Sequence, residues 1–364
     1  MLLIKGINQN RQESKWLALF LFLCSLYICP FMLGYAGWYS IKSYREFLFF
    51  VPFQQLLLIG PVIYLYTQSL LNSEFKLPRK AVIHFMPAVF YLLYSLVVFI
   101  ADKWILEEFY FYADGKDKDL DFWYQMAGLI SMLFYLGLSL RYYWNYRKVS
   151  NQEVSYADEI SYKWVERFML AFGLILVLRV LFFILNPEWG EFGSKYWYYL
   201  CFSILFLYIA FTGYTHSVSN PIKFPFNQIL NRQEPAKFES NATINEDDIV
   251  KDELWSVKII SLFDEHKVYS DPTLTLTAVA LRLNTNRNVV SNVINQRFKM
   301  NFNDFVNNKR VEAVTRKLEQ GDHIKKTMLG ISIECGFNSK TTFNRAFKKF
   351  TKMTPKQYIS KNNL

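Results

Sequence analysis

The sequence predicts an all-α protein in two parts. An N-terminal bundle of six transmembrane helices occupies residues 1–218, a linker 219–248, and a seven-helix domain with two helix-turn-helix units 249–364. Three observations lead there. Six long stretches of the first part are free, or almost free, of formal charge. Residues 248–364 carry 20 Lys and Arg against 11 Asp and Glu, which is nearly all of the chain's net charge of +10. In that same region a helix, a turn and a second helix occur twice, 53 residues apart.

A chain of 364 residues has room for two domains. Apolar residues make up 52% and aromatics 18%, yet the mean hydropathy is only +0.07. Such an average suits a soluble protein, or an oily half joined to a polar half, and the charge distribution selects the second. A basic last third implies an anionic partner, nucleic acid or lipid headgroups. Cys24, Cys29, Cys201 and Cys335, like His84, His216, His266 and His323, lack metal-ligand spacing and read as packing or surface residues. No paired carboxylates or nucleophile–base constellation points to an enzyme, and no cofactor is expected.

The charge-poor stretches are residues 16–39, 47–71, 81–101, 122–140, 168–185 and 196–218. Each is near the ~20 residues a helix needs to cross the hydrocarbon core, and Pro30, Pro52, Pro61 and Pro87 are tolerable there as kinks. The first run is too long for a signal peptide and is followed by more of the same. Met1-Leu2-Leu3-Ile4-Lys5 reads as the tail of an apolar run, which leaves room for an upstream start and a seventh crossing.

Orientation follows from the connections. Lys5, Arg11, Lys15, Lys76, Arg79, Lys80, Arg141, Arg147, Lys148, Lys163 and Arg167 lie on one side. Lys42, Arg45, Lys103, Lys116, Lys118 and Lys195 lie on the other, the middle three in an acidic loop with Asp102, Asp117 and Asp119. The bias places both ends of the bundle in the cytoplasm. Arg179 is the formal charge well inside a crossing. It is a candidate sensor residue, or else an arginine that snorkels or is paired within the bundle. The acidic loop reads as a ligand or cation site, or more simply as a solvated loop.

Pro221, Pro225 and Pro235 mark the linker. Beyond it, residues 252–266 form an amphipathic helix. The first unit runs from a helix at 276–283 through a turn at Asn284-Thr285 to Asn286, an N-cap for a helix at 287–296. Val289, Val290, Val293 and Ile294 form its apolar stripe; Arg287, Asn288, Ser291, Asn292 and Asn295 form its polar one. A long helix at 303–320, ended by Gly321, leads to the second unit. There Gly336 makes the turn, Asn338 or Ser339 caps, and Phe343, Ala346, Phe347 and Phe350 pack inward. Lys340, Thr341, Asn344, Arg345 and Lys348 project oppositely, and Lys349 adds a further charge. Both polar stripes share the spacing i, i+1, i+4, i+5, i+8. Two such helices on one rigid connector suit successive major grooves, separated by about 34 Å.

These residues resemble the AraC family of bacterial transcription regulators. The match runs through Leu276, Ala280, Arg310 and Ala313, then Ile331-Ser332-Ile333-Glu334-Cys335-Gly336-Phe337, Ser339, Phe343, Arg345 and Phe347-Lys348-Lys349 to Thr354-Pro355-Lys356-Gln357-Tyr358. Lys299 and Lys352 replace the Gly usual after each reading helix, and Asn284 replaces Gly in the first turn. A membrane bundle stands where many members carry a sugar-binding barrel, as in membrane-embedded members. The resemblance implies base contacts from Asn288, Ser291, Asn292, Lys340, Thr341, Asn344 and Arg345. The expected protein is therefore a membrane-bound one-component regulator with double-stranded promoter DNA, the bilayer and a signal ligand as partners, with room for a homodimer. The rival is a membrane receptor or transporter whose basic tail binds anionic lipid headgroups.

Overall fold

The computed structural model describes residues 11–72, 74–113, 117–160, 163–185, 195–218 and 246–362. The chain divides into two compact units, Met1–Trp144 with Tyr162–Pro225 and Asn145–Ser161 with Phe226–Leu364. The fold is all-helical. The expected linker at 219–248 lies outside the described residues except for its last three, which begin a helix.

In the first unit, helix α1 (Gln12–Tyr35) ends just before Gly37, whose φ of 77° is left-handed. The expected crossing at 47–71 is interrupted. Helix α2 (Lys42–Leu48) stops, and α3 (Leu56–Leu71) begins only after Pro52. Proline lacks an N–H and disfavours helical geometry in the residue before it. The break is then held open, because the backbone N–H of Gln54 donates to the Asp119 carboxylate at 2.8 Å instead of to a helical carbonyl. What remains in α3 is 16 residues, short of a full crossing.

The run at 81–101 begins as 3-10 turns (Arg79–Phe85) and becomes α4 (Met86–Ile100), with Pro87 in the first turn, where its missing N–H breaks no helical bond. The run at 122–140 continues far beyond its apolar part as α5 (Phe122–Glu153), 32 residues long. After the single turn α6 (Ala157–Ile160) come α7 (Lys163–Leu185) and α8 (Tyr196–Val218). Among the described residues, four helices are long and apolar enough to cross a membrane: Gln12–Tyr35, Arg79–Ile105, Phe122–Glu153 and Tyr196–His216. Helix α1 packs along α3 and α8, and α7 along α8. At Gly128 of α5 a Cβ would stand 2.5 Å from the Leu56 Cβ, so the small residue permits the close approach of α3. Phe22, Met32, Phe90, Leu93, Val97, Ile130, Phe134, Leu170 and Phe211 point outward and are exposed.

The second unit contains α9 (Glu246–Asp264), α10 (Leu276–Arg282), α11 (Arg287–Arg297), α12 (Phe302–Glu319), α13 (Asp322–Lys325), α14 (Met328–Glu334), α15 (Lys340–Thr351) and α16 (Pro355–Lys361). The single turn α13 is additional to the seven helices expected. Six starts are capped by side chains that satisfy otherwise unpaired N–H groups: Thr275, Asn286, Asn301, Thr327, Ser339 and Thr354. Thr354 and Gln357 complete a reciprocal capping box. One apolar core joins both halves. It includes Phe263, Val293 and Ile294 on one side and Ile331, Phe343 and Phe347 on the other, with Phe305, Val306, Val314 and Leu318 of α12 running through it. Phe263 meets Phe305 edge-on at 5.0 Å, as does Phe343 with Phe347 at 5.5 Å.

Candidate nucleic-acid interface

Both helix pairs turn the same corner with the same bonds. After α10 the N–H of Asn284 donates to the Leu281 carbonyl and that of Thr285 to Ala280. After α14 the N–H of Gly336 donates to Ile333 and that of Phe337 to Ser332. This paired bonding closes a helix through one left-handed residue, and Asn284 and Gly336 have φ of 51° and 91°. The second turn holds one residue more, Asn338, before its cap. The cap is therefore Ser339, which accepts from the Thr342 N–H at 3.2 Å. In the first unit Asn286 accepts from the Asn288 N–H at 3.0 Å. The residues that follow the second helices, Lys299 and Lys352, are also left-handed, with φ of 53° and 61°. The geometry usual for glycine is kept although lysine occupies it.

The candidate contact residues fall on the outer sides of α11 and α15. In α11 Val290, Val293 and Ile294 are buried, Asn288 is exposed, and Arg287, Ser291 and Asn292 are half-buried. Asn295 donates to the Ser291 hydroxyl at 3.3 Å. In α15 Phe343, Ala346 and Phe347 are buried, while Lys340, Thr341, Asn344, Arg345, Lys348 and Lys349 are exposed. Lys349 pairs with Asp304 at 2.6 Å and Arg287 with Glu153 at 3.0 Å within the unit. Arg345 and Lys349 line a polar cavity of about 210 Å³ together with Asn151, Asn301, Asn303 and Asn307.

Arg310 of α12 is buried. Its guanidinium donates to the carbonyls of Tyr269 and Asp271, both at 2.8 Å, and to Ser155 Oγ at 3.0 Å, and it lies 5.8 Å from the Phe337 ring. Burial, opposed by the charges of Asp271 and Glu159, brings it down to about 10, so it stays charged at neutral pH. A planar fork of donors can tie together a loop, a turn and a second segment where a lysine would satisfy fewer carbonyls.

Residues 279–361 match the helix-turn-helix domain family. The C-terminal domain is an AraC-type helix-turn-helix domain. Uncharacterized HTH-type transcriptional regulators of Staphylococcus aureus, strains COL, MSSA476 and N315, are each 27% identical over 124 residues. The matched stretch covers 34% of this chain but only 15% of each of those relatives. No solved structure matches the chain. In this AraC-type domain α11 and α15 are the second helices of the two units.

Within the first unit Arg179 is buried and donates to the backbone carbonyl of Gln125 at 3.2 Å and to its side chain at 2.6 Å. Gln125 donates in turn to Gln54 and to the Asp119 carbonyl, at 2.7 and 2.6 Å. Asp119 also accepts from the Tyr91 hydroxyl. The reading of the acidic loop as solvated is thus corrected for Asp102, Asp117 and Asp119, which are all buried. A cavity beside Arg179, lined by Tyr27, Met132 and Tyr198 among others, measures about 20 Å³, room for roughly one water. Among the described residues no cluster of His, Cys, Asp and Glu could hold a metal.

Sequence reasoning missed Asn145–Ser161 altogether. The segment belongs to the connection after the fourth expected crossing, yet it folds with the C-terminal domain.

Proposed function

We propose that this chain is a membrane-bound one-component transcription regulator that binds promoter DNA sequence-specifically through both helix-turn-helix units. The observation that carries the reading is the pairing of α11 and α15. Each follows a capped left-handed turn and presents polar residues outward, within a domain that holds nearly all of the chain's basic excess. Arg345, Asn344, Asn288 and Asn292 have the chemistry for base edges, arginine favouring guanine and asparagine adenine. Lys340, Lys348 and Lys349 neutralise phosphate, which supplies affinity without sequence information. Ser291 and Thr341 complete the contact set as hydroxyl donors and acceptors. Helix α12, which joins the units, is about 27 Å long at 1.5 Å per residue, suited to spacing two readers along one face of a duplex.

Four helices of spanning length and a wide outward apolar surface support insertion in the inner membrane. The bias of Lys and Arg among the connections supports a cytoplasmic DNA-binding domain. The bundle is then the part that receives the signal. The buried Arg179–Gln125–Gln54–Asp119 network is where a polar signal would be felt, since a charge in that setting depends on its hydrogen bonds. A lipid-binding tail would place large apolar residues beside the lysines, and the exposed Thr341 and Asn344 speak against it.

The test is selection. The full chain in lipid nanodiscs, mixed with a pool of random duplexes, enriches a motif made of two parts about one helical turn apart. Retention of every sequence alike, or binding to anionic vesicles without DNA binding, contradicts the reading.

A further inference from the structure

The segment Asn145–Ser161 is anchored on the C-terminal domain at the first helix-turn-helix unit and lines a cavity at the second. At the first, the Ser155 N–H donates to the Leu274 carbonyl at 3.0 Å, next to an antiparallel bridge between Val154 and Thr275. Thr275 is the cap of α10, so the segment is fixed at the entrance of the first unit. From there Glu153 accepts from Arg287, the first residue of α11, at 3.0 Å. Both side chains are largely withdrawn from solvent, with 17% of Arg287 and 7% of Glu153 exposed. Ser155 reaches the buried guanidinium of Arg310 through its hydroxyl at 3.0 Å and its carbonyl at 3.3 Å. At the second unit, Asn151 shares the cavity wall with Arg345 and Lys349 of α15.

The segment carries Glu153, Asp158 and Glu159 as well as Arg147 and Lys148, and Glu153 is the carboxylate paired with Arg287. A carboxylate on Arg287 makes the same charge-assisted hydrogen bond that a phosphate or a guanine edge would make. The segment begins within α5, as its last turns from Asn145 to Glu153, and the Phe122–Glu153 helix includes a stretch of membrane-spanning length and composition.

We infer that the DNA-reading face of the C-terminal domain is also the docking surface for Asn145–Ser161 of the same chain, and that this segment and DNA compete for it through Arg287. The inference rests on the proposed DNA binding. Bound DNA must take Arg287 from Glu153, and the negative backbone repels a carboxylate left nearby. The docked segment therefore lowers DNA affinity, and whatever loosens it at the end of α5 raises that affinity. Ligands that act on an equilibrium of this kind typically shift affinity severalfold or more.

Two measurements on the full chain in lipid nanodiscs test the competition, with duplexes enriched by the wild-type chain as the probe. Glu153→Gln removes the charge and keeps the side-chain shape, and it binds those duplexes about tenfold more tightly than wild type. In the unaltered chain, amide exchange at Ser155 is slow without DNA and becomes faster when the duplex is saturating. Equal or weaker binding by E153Q, or Ser155 exchange that DNA leaves unchanged, overturns the competition while leaving DNA binding intact. If neither protein binds any duplex, the proposed function fails and takes the competition with it.

Discussion

Gly336 lies so close to the backbone of Tyr269 that a Cβ built on it would stand 2.3 Å from the Tyr269 carbonyl oxygen and 3.0 Å from Arg310 Nε. The same carbonyl accepts from Arg310 at 2.8 Å. One oxygen thus marks where the second turn, the connecting helix and the loop after α9 meet, and only a residue without a side chain fits beside it.

Gly336→Ala therefore combines a left-handed φ with a backbone collision. The conformational part alone costs about 1–2 kcal/mol, and the collision adds to it because the nearest atom is main chain. Chemical denaturation of the C-terminal domain should read a loss above about 2 kcal/mol. A loss below that would mean that the turn moves freely.

Lys299 and Lys352 lead to the opposite expectation. Both hold a left-handed backbone that glycine adopts without strain, and neither is buried. Lys299→Gly and Lys352→Gly should each stabilise the domain by about 0.5–1 kcal/mol, the relief of strain outweighing the added freedom of the unfolded chain. A destabilised Lys352→Gly protein would show that the lysine side chain contributes more than its backbone costs.

These positions also mark what the sequence could and could not carry. Caps, turns and apolar stripes are local, and Asn286, Gly336 and the inward Phe343 and Phe347 are legible from a dozen neighbouring residues, while the choice of Ser339 over Asn338 as the second cap is not. The break at Pro52 is not legible in the sequence because membrane helices often absorb proline. What holds it open is Asp119, a partner 65 positions from Gln54. Nothing near Arg310 in sequence announces the Tyr269 and Asp271 carbonyls that bury it. The docking of Ser155, 155 positions from Arg310, had no local pattern at all.

Cys335 belongs to the matched run yet is sealed in the core at 2% exposure. Burial, partly offset by Lys317, pushes its thiol up to about 11, so almost no thiolate exists at neutral pH. A thiol reagent should label Cys335 only at the rate at which the domain opens, measured by mass spectrometry across a denaturant series. Fast labelling in native buffer would contradict the packing described.

Glu334 gives a pH dependence of known sign. Hydrogen bonds from Lys317 at 2.5 Å and Lys326 at 2.7 Å hold its carboxyl down at about 2, against an ordinary 4.5. Its stabilisation is present above the ordinary value and is lost as pH falls through the folded one. The group is exposed, so the effect is small and weakens with salt. Wild type and Glu334→Gln should differ in thermal stability at neutral pH and converge near pH 2. A constant difference over that range would mean that the charge plays no part.

The contact chemistry of α15 offers the most direct test of DNA reading, as binding curves over a salt series for the full chain on enriched and unenriched duplexes. Arg345→Ala should cost about 1–3 kcal/mol on enriched duplexes and much less on unenriched ones. Lys348→Ala should weaken both alike and reduce the salt slope by about 1. Lys349→Ala should act in the same direction but less, since Asp304 already neutralises part of its charge. If Arg345→Ala and Lys348→Ala instead weaken every duplex equally, α15 binds phosphate without reading sequence, and the account of this domain as a sequence-specific regulator is contradicted.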